Sequence, residues 1–221
     1  MKIVFKAGIF LRLIGLLLLS GAGGCSAQKE TAPVFVVSDF IELDKIAEIS
    51  LFRSSEGHDY SGGGETCRSM KHYFKPKPLV DPAAIKLFSP VDGIVEEIVA
   101  ERVGGRQLRI RPESYPGFRV MIFHVNPRVK RGGKVSAGEE LGLKNIGSSM
   151  SDIAVQNLAT GEYVSYFSVM SPAVFAKYVE RGISSGAEMM ISRESRDSDA
   201  LSCDGEIFLS RGKLKAWKVL K

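Results

Sequence analysis

Glycines separate short apolar runs through the middle of the chain. Residues 89–93 read SPVDG and open onto residues 94–99, in which isoleucine and valine flank two glutamates. The Gly-Gly pair at 104–105 separates that run from residues 107–111, which alternate apolar and polar side chains. This alternation is typical of β-strands, and adjacent glycines between two such runs indicate a hairpin turn. Residues 129–142 continue the pattern with still shorter strands. Glycine at the corners of short strands predicts a mainly β domain with a strongly curved sheet.

Composition and charge narrow the class of protein. Hydrophobic residues make up 44% of the chain and charged residues 25%, which is ordinary for a globular protein and argues against disorder. The formal net charge is +5, but Lys2, Lys6 and Arg12 all lie in the N-terminal leader, which has no acidic residue. The remaining excess is too small to predict the concentrated basic face that nucleic acid requires. We therefore expect no nucleic-acid partner.

The N-terminus has the order of an export signal. Basic residues precede the apolar stretch 13–19, and small residues follow it. The apolar stretch is far shorter than the ~20 residues that a membrane-spanning helix needs. We predict that residues 1–24 are a signal peptide and that the mature protein is exported.

The end of the leader resembles a bacterial lipobox. Residues 22–25 read AGGC, and in that motif the cysteine becomes the first mature residue and carries lipid. The resemblance implies lipidation of Cys25. Ser26, in place of aspartate, points to the periplasmic face of the outer membrane. Ordinary cleavage after Ala22 or Ala27 is the alternative.

Two further cysteines, Cys67 and Cys203, remain in the exported chain. An oxidising compartment favours one disulfide between them. Two unpaired buried cysteines are an alternative. Because His58 and His72 lie near Cys67 in the sequence, a zinc thiolate is a third.

The mature chain divides into a tether and one domain. We predict a lipid-anchored tether over residues 25–45 and a single β domain with a C-terminal extension over residues 46–221. Within that domain, residues 53–78 are rich in glycine, serine and proline, which predicts a long loop, and a loop of that length in a compact domain is usually functional. Ser171 can cap a helix that Gly182 ends.

The segments SPVDGIV (89–95) and VKRGGKVSAGEELG (129–142) resemble the duplicated-hybrid-motif superfamily. That group includes biotinyl and lipoyl carriers, glucose-type phosphotransfer proteins and the lysostaphin-like (LytM-type) zinc endopeptidases of peptidoglycan. The resemblance implies a barrel-sandwich-like curved β-sheet with a helical C-terminal addition. A carrier needs a lysine at a hairpin tip between two strands, which is missing here. A phosphotransfer protein is cytoplasmic, which conflicts with the leader.

The order of elements is similar to that of the LytM-type endopeptidases. The FHV of residues 123–125 resembles their Tyr-x-His-Leu stretch, which implies that His124 is a catalytic histidine that does not bind metal. Met150-Ser151-Asp152 stands where the family has His-x-His, so Asp152 takes a zinc-ligand position. The family's His-x-x-x-Asp motif has no counterpart here, and His58 and His72 are the nearest candidates. Substitute ligands would be Asp59, Glu65 and Cys67.

Two functions follow from the resemblance. In the first, a cell-envelope lipoprotein binds zinc through His58, His72 and Asp152, and His124 orients the metal-bound water for hydrolysis of peptidoglycan cross-links. In the second, a metal-free lipoprotein uses the same groove to bind peptidoglycan or its peptides, or to regulate a partner hydrolase. Metal content distinguishes the two.

Overall fold

A computed structural model of the chain describes residues 1–2 and 33–221. The predictions for the signal peptide, apart from its first two residues, and for Cys25 lie outside the described residues. No helix in the described part of the chain is long and apolar enough to cross a membrane. The folded domain begins earlier than predicted, because Phe35, Val36 and Phe40 are buried in the core. Residues 33–45 therefore belong to the domain and not to a free tether.

The described residues are mainly β, as predicted. Their strands are β1 Ile46–Ser50, β2 His72–Pro76, β3 Lys86–Phe88, β4 Gly93–Ala100, β5 Arg106–Pro112, β6 Phe118–Pro127, β7 Lys134–Val135, β8 Glu140–Lys144, β9 Ser151–Asn157, β10 Tyr163–Val164, β11 Cys203–Asp204, β12 Ile207–Phe208 and β13 Trp217–Val219. Their α-helices are α1 Pro172–Glu180 and α2 Arg193–Ser198. Short 3-10 turns occupy Leu43–Lys45, Pro82–Ala84, Tyr166–Ser168 and Gly186–Met189.

One large antiparallel sheet has the strand order β13-β1-β2-β9-β6-β5-β4-β7, with β10 beside β9 and with β8 joining β6 to β3. Glycines allow the backbones of neighbouring strands to approach each other closely, as the glycine spacing predicts. A β-carbon at Gly93 would collide with the carbonyl oxygen of Arg111, and one at Gly142 would collide with that of Asn126. The hairpin between β4 and β5 turns at Gly104 and Gly105, which both have positive φ.

The two faces of the sheet are buried by different parts of the chain. Inward side chains such as Ile122 and Ile153 belong to the main hydrophobic core. Their neighbours on the same strands, Phe123 and Ala154, point the other way and form a second, smaller cluster with Tyr60 and other residues. This division follows from the two-residue repeat of a β-strand.

A long segment, residues 53–71, covers the second cluster, and we call it the cover loop. The predicted loop 53–78 is therefore shorter than expected, because residues 72–76 form β2 between β1 and β9. The cover loop is held by the bond from the Asp59 amide to the Glu206 carbonyl and by the disulfide Cys67–Cys203. The predicted disulfide is thus confirmed.

The C-terminal part is not a separate helical layer. Helix α1 begins as predicted, with the Ser171 hydroxyl accepting from the Val174 amide and Pro172 in the first turn. After α2, however, the chain returns to β-structure. Strands β11 and β12 form a hairpin against the cover loop, and β13 completes the edge of the main sheet beside β1.

Candidate functional site

His124 lies at a β-bulge in β6. Gln107 of β5 faces two residues of β6, since Arg106 pairs with Val125 and Leu108 pairs with Ile122. His124 itself has φ of 58°, in the left-handed region that non-glycine residues rarely adopt. A bulge changes the direction of a side chain relative to simple alternation. It places the imidazole on the same face as the second cluster.

Glu101, in the turn after β4, holds the bulge. Its Oε2 accepts the His124 backbone N–H at 2.6 Å and lies 3.2 Å from His124 Nδ1. The backbone outlier is therefore supported by a charge-assisted hydrogen bond, which is how strained residues persist at functional sites.

Asp152 of β9 lies beside His124, as the sequence predicts. Its Oδ1 is 3.3 Å from His124 Nε2, an electrostatic contact that is not aligned as a hydrogen bond. Its Oδ2 accepts a hydrogen bond from Lys71 Nζ at 2.9 Å. The Lys71 and Asp152 side chains are only 3% and 1% exposed. The ammonium therefore occupies Oδ2, whereas Oδ1 is buried with only the electrostatic contact to His124.

His58 extends the arrangement toward the surface. Its Nε2 is 3.4 Å from Lys71 Nζ, and its side chain is 39% exposed. Glu101, His124, Asp152, Lys71 and His58 thus form a continuous chain of contacts, which we call the ionic cluster. Its centre is lined by aromatic rings, since Lys71 Nζ lies 3.6 Å from the ring centre of Phe123 and 4.3 Å from that of Tyr60.

The charges around His124 control its protonation. Burial by itself would lower the pKa of His124, but the hydrogen bond and charge of Glu101 and the charge of Asp152 outweigh burial and raise that pKa above its usual value. The imidazolium form is stabilised between two carboxylates.

His72, predicted as a zinc ligand, lies on the opposite face of the sheet. It pairs with Ile153, so its side chain points into the main core and away from Asp152. Its Nδ1 contacts the Ser50 carbonyl at 2.8 Å, and its Nε2 contacts the Ser165 hydroxyl at 2.8 Å. His72 therefore cannot share a metal with Asp152 as predicted, because β-strand alternation places the two side chains on opposite faces of the sheet.

The three substitute ligands are also bonded to other groups of the protein. Glu65 accepts hydrogen bonds from Arg53 and Arg68, and Cys67 is in the disulfide. Asp59 accepts the backbone N–H groups of Cys67 and Arg68, which shapes the cover loop.

The residues present do not fit a zinc ion. Zinc requires ligands with free lone pairs, whereas the group closest to Asp152 is an ammonium, which has three donors and no acceptor. No group of three His, Cys, Asp or Glu side chains in the described residues could hold a metal ion. His58, His124 and Asp152 lie in one cluster, but the ammonium of Lys71 lies between His58 and Asp152.

Sequence reasoning missed Lys71, Glu101 and Lys144. Lys144 is fully buried, and its Nζ donates to the carbonyl oxygens of Asn145 and Ser148. Burial lowers the pKa of Lys144, partly offset by the charge of Asp152. Lys71 could have been predicted from its spacing, because it lies two residues before Tyr73 and their side chains therefore share one face of the sheet. Tyr73 pairs directly with Asp152.

No protein-family model matches the sequence, and no curated protein matches it. Solved structures with similar folds include Helicobacter pylori Csd3, with 15% identity and a TM-score of 0.46 over 62% of this chain. A catalytic domain of the prophage-encoded M23 protein EnpA from Enterococcus faecalis has 18% identity and a TM-score of 0.40 over 61% of this chain and 94% of its own. The SpoIIQ–SpoIIIAH pore-forming complex has 10% identity and a TM-score of 0.46 over 69% of this chain and 100% of its own.

The match covers only 34% of the length of the Csd3 chain. These similarities are distant and concern the fold alone.

Proposed function

We propose that this protein is an exported cell-envelope domain of the peptidoglycan-hydrolase type whose groove binds peptidoglycan peptides without cleaving them. The observation that carries the proposal is the ammonium of Lys71, bonded to the carboxylate that the sequence resemblance assigns to zinc. An ammonium repels a divalent cation and has no lone pair to offer it. This contact favours the metal-free alternative over the hydrolytic one, because zinc would have to displace the ammonium from Asp152.

The partly exposed residues Tyr60, Tyr163 and His58 form a surface beside the ionic cluster, which we call the groove, and they offer suitable groups for a peptide. Tyr60 and Tyr163 lie 5.1 Å apart between ring centres. His58 adds a titratable side chain beside Glu206, 3.9 Å away. Peptidoglycan stem peptides carry free amino and carboxyl groups, which charged rim residues can pair with, while the tyrosine rings contact their aliphatic parts.

Two measurements on the purified mature protein test this proposal. Metal analysis should give zinc well below one ion per chain, and incubation with peptidoglycan sacculi should release no soluble fragments. Co-sedimentation with sacculi should succeed, and Tyr163→Ala should weaken it several-fold. Tyr115→Ala is the matched control, because this exposed tyrosine lies at the far end of β5 and β6 from His124. One zinc per chain, together with fragment release that Asp152→Ala abolishes, would support the hydrolase instead.

A second candidate, regulation of a partner hydrolase, is favoured by two apolar side chains near His124. Val103 and Ile146 are 59% and 74% exposed, on loops that touch each other at Gly104 and Gly147. Exposed apolar residues beside a groove are typical of protein-binding surfaces. Val103→Asp with Ile146→Asp should abolish any stimulation of a purified envelope hydrolase while leaving sedimentation with sacculi unchanged.

Lipid anchoring at Cys25 is a separate proposal. It rests on the sequence motif and predicts a membrane-associated mature protein, which Cys25→Ala releases into the soluble fraction. Recovery of both forms in the soluble periplasm would contradict it.

A further inference from the structure

The Lys71–Asp152 pair differs in burial from the other lysine–carboxylate pairs of the described residues. Its two side chains are 3% and 1% exposed, whereas Lys177, paired with Asp39, is 58% exposed. Two charges buried in this way lose most of their hydration, which their mutual attraction repays only in part. An amide between the same two side chains carries no charge and would remove that cost.

The surroundings exclude water from the pair. The rings of Phe123 and Tyr60 lie against Lys71 Nζ, and the side chains of Lys71 and Asp152 are almost fully buried. Excluding water favours condensation of an amine with a carboxyl group, because water is the product. It also protects the amide from hydrolysis.

A proton acceptor and a proton donor stand on opposite sides of the pair. His58 Nε2 is 3.4 Å from Lys71 Nζ, within reach to accept a proton from the ammonium. His124 Nε2 is 3.3 Å from Asp152 Oδ1, and Glu101 holds the imidazole there through Nδ1. Both contacts are slightly longer than the hydrogen bonds of general acid–base catalysis, so each imidazole would have to move a few tenths of an ångström to transfer its proton.

We propose that Lys71 and Asp152 condense to an intramolecular isopeptide bond. His58 takes one proton from Lys71, and the lone pair of Nζ forms a bond to Cγ of Asp152. Oδ1 then receives one proton from the imidazolium of His124 and a second from the attacking nitrogen. The Cγ–Oδ1 bond breaks, water leaves, and Oδ2 remains as the amide oxygen. His58 and His124 exchange their protons with solvent, so the net change is the loss of one water.

The bond would join β2 to β9 covalently in the middle of the sheet. The bond bears on the proposed function, because an amide would replace the ammonium that argues against zinc. Zinc is disfavoured in either form, since an amide nitrogen has no free lone pair for a metal and the Asp152 carboxylate no longer exists.

Intact mass spectrometry of the purified wild-type protein, unfolded and fully reduced, tests the proposal. The mass should be lower than the sequence predicts by one water molecule, and proteolysis should yield a branched peptide that joins Lys71 to Asp152. Lys71→Arg keeps the cation but should restore the full mass. His124→Ala should leave a substantial unlinked fraction in freshly purified protein.

Two results would overturn the proposal. The first is a wild-type protein of full mass after prolonged incubation at pH 6 to 8, with Lys71 and Asp152 recovered in separate peptides. The second is a loss of water that persists in Lys71→Arg, since the dehydration would then lie elsewhere in the chain. The wild-type measurement does not depend on whether any variant folds.

Discussion

The buried imidazole of His72 should make the protein lose stability as the pH falls from about 6.5 to about 4. Burial lowers the pKa of His72 to about 4, and the hydrogen bond to the Ser50 carbonyl offsets burial only in part. In the unfolded chain a histidine titrates near its ordinary value of about 6.5. Between these two values the unfolded state binds a proton that the folded state does not, so the free energy of unfolding decreases.

The size of the effect follows from the two pKa values. Each unit corresponds to about 1.36 kcal/mol, so a difference of about 2.5 units lowers the free energy of unfolding by about 3 kcal/mol at pH 4. That loss is a large fraction of the 5–15 kcal/mol typical of a folded domain. Above pH 6.5 both states hold a neutral imidazole, and His72 contributes no pH dependence.

Urea unfolding at several pH values between 7 and 4, with the disulfide intact, measures this dependence. His72→Asn keeps a donor near the Ser50 carbonyl but does not titrate, so its free energy of unfolding should fall by about 3 kcal/mol less than that of the wild type over this range. Ile153→Val is the matched control, because it alters the core beside His72 without changing a titratable group, and its pH dependence should follow the wild type.

Equal pH dependence in His72→Asn and the wild type would refute the argument. It would mean that His72 is accessible to protons in the folded state, and hence that the core around β2 is not closed as described.

Three further predictions concern the ionic cluster and the disulfide. Compared with wild-type protein that has not formed the isopeptide bond, Lys71→Met should lower the free energy of unfolding by about 3–5 kcal/mol, because it leaves the buried Asp152 Oδ2 without its hydrogen-bonded cation, whereas Lys71→Met with Asp152→Leu should cost clearly less. Urea unfolding decides this, and equal losses in both variants would contradict it. His124 should add stability that is complete below pH 6.5 and is lost as the pH rises through its raised pKa, so His124→Gln should flatten the stability curve above pH 6.5; an unchanged slope there would count against the Glu101 and Asp152 contacts. Reduction of Cys67–Cys203, which are 136 residues apart, should cost roughly 5 kcal/mol in the chain-entropy model. The control is the double variant Cys67→Ser with Cys203→Ser, which should not respond to reductant.

Local chemistry along the chain was enough to predict several parts of the fold. The alternation of residues 107–111 and the glycines at 104 and 105 predicted the β4–β5 hairpin, because turn type and strand period depend on neighbouring residues. Ser171 and Pro172 predicted the start of α1 for the same reason. The disulfide followed from the export signal and from the presence of two remaining cysteines.

The sequence predicted only some of the residues of the site. His124 and Asp152 were found from the order of motifs, and they are in contact. Neither the bulge that turns His124 nor the role of Glu101 is visible in the sequence, because a bulge depends on how β5 pairs with β6.

The choice between His72 and Lys71 was decided by tertiary structure alone. The two residues are adjacent in the sequence, and both are plausible neighbours for a carboxylate. The pairing of β2 with β9 sends His72 into the core and Lys71 toward Asp152. A shift of one residue in that pairing would exchange their faces, since side chains alternate along a strand. Sequence pattern fixes which residues form a strand, whereas only the packed sheet determines which of two adjacent side chains reaches the groove.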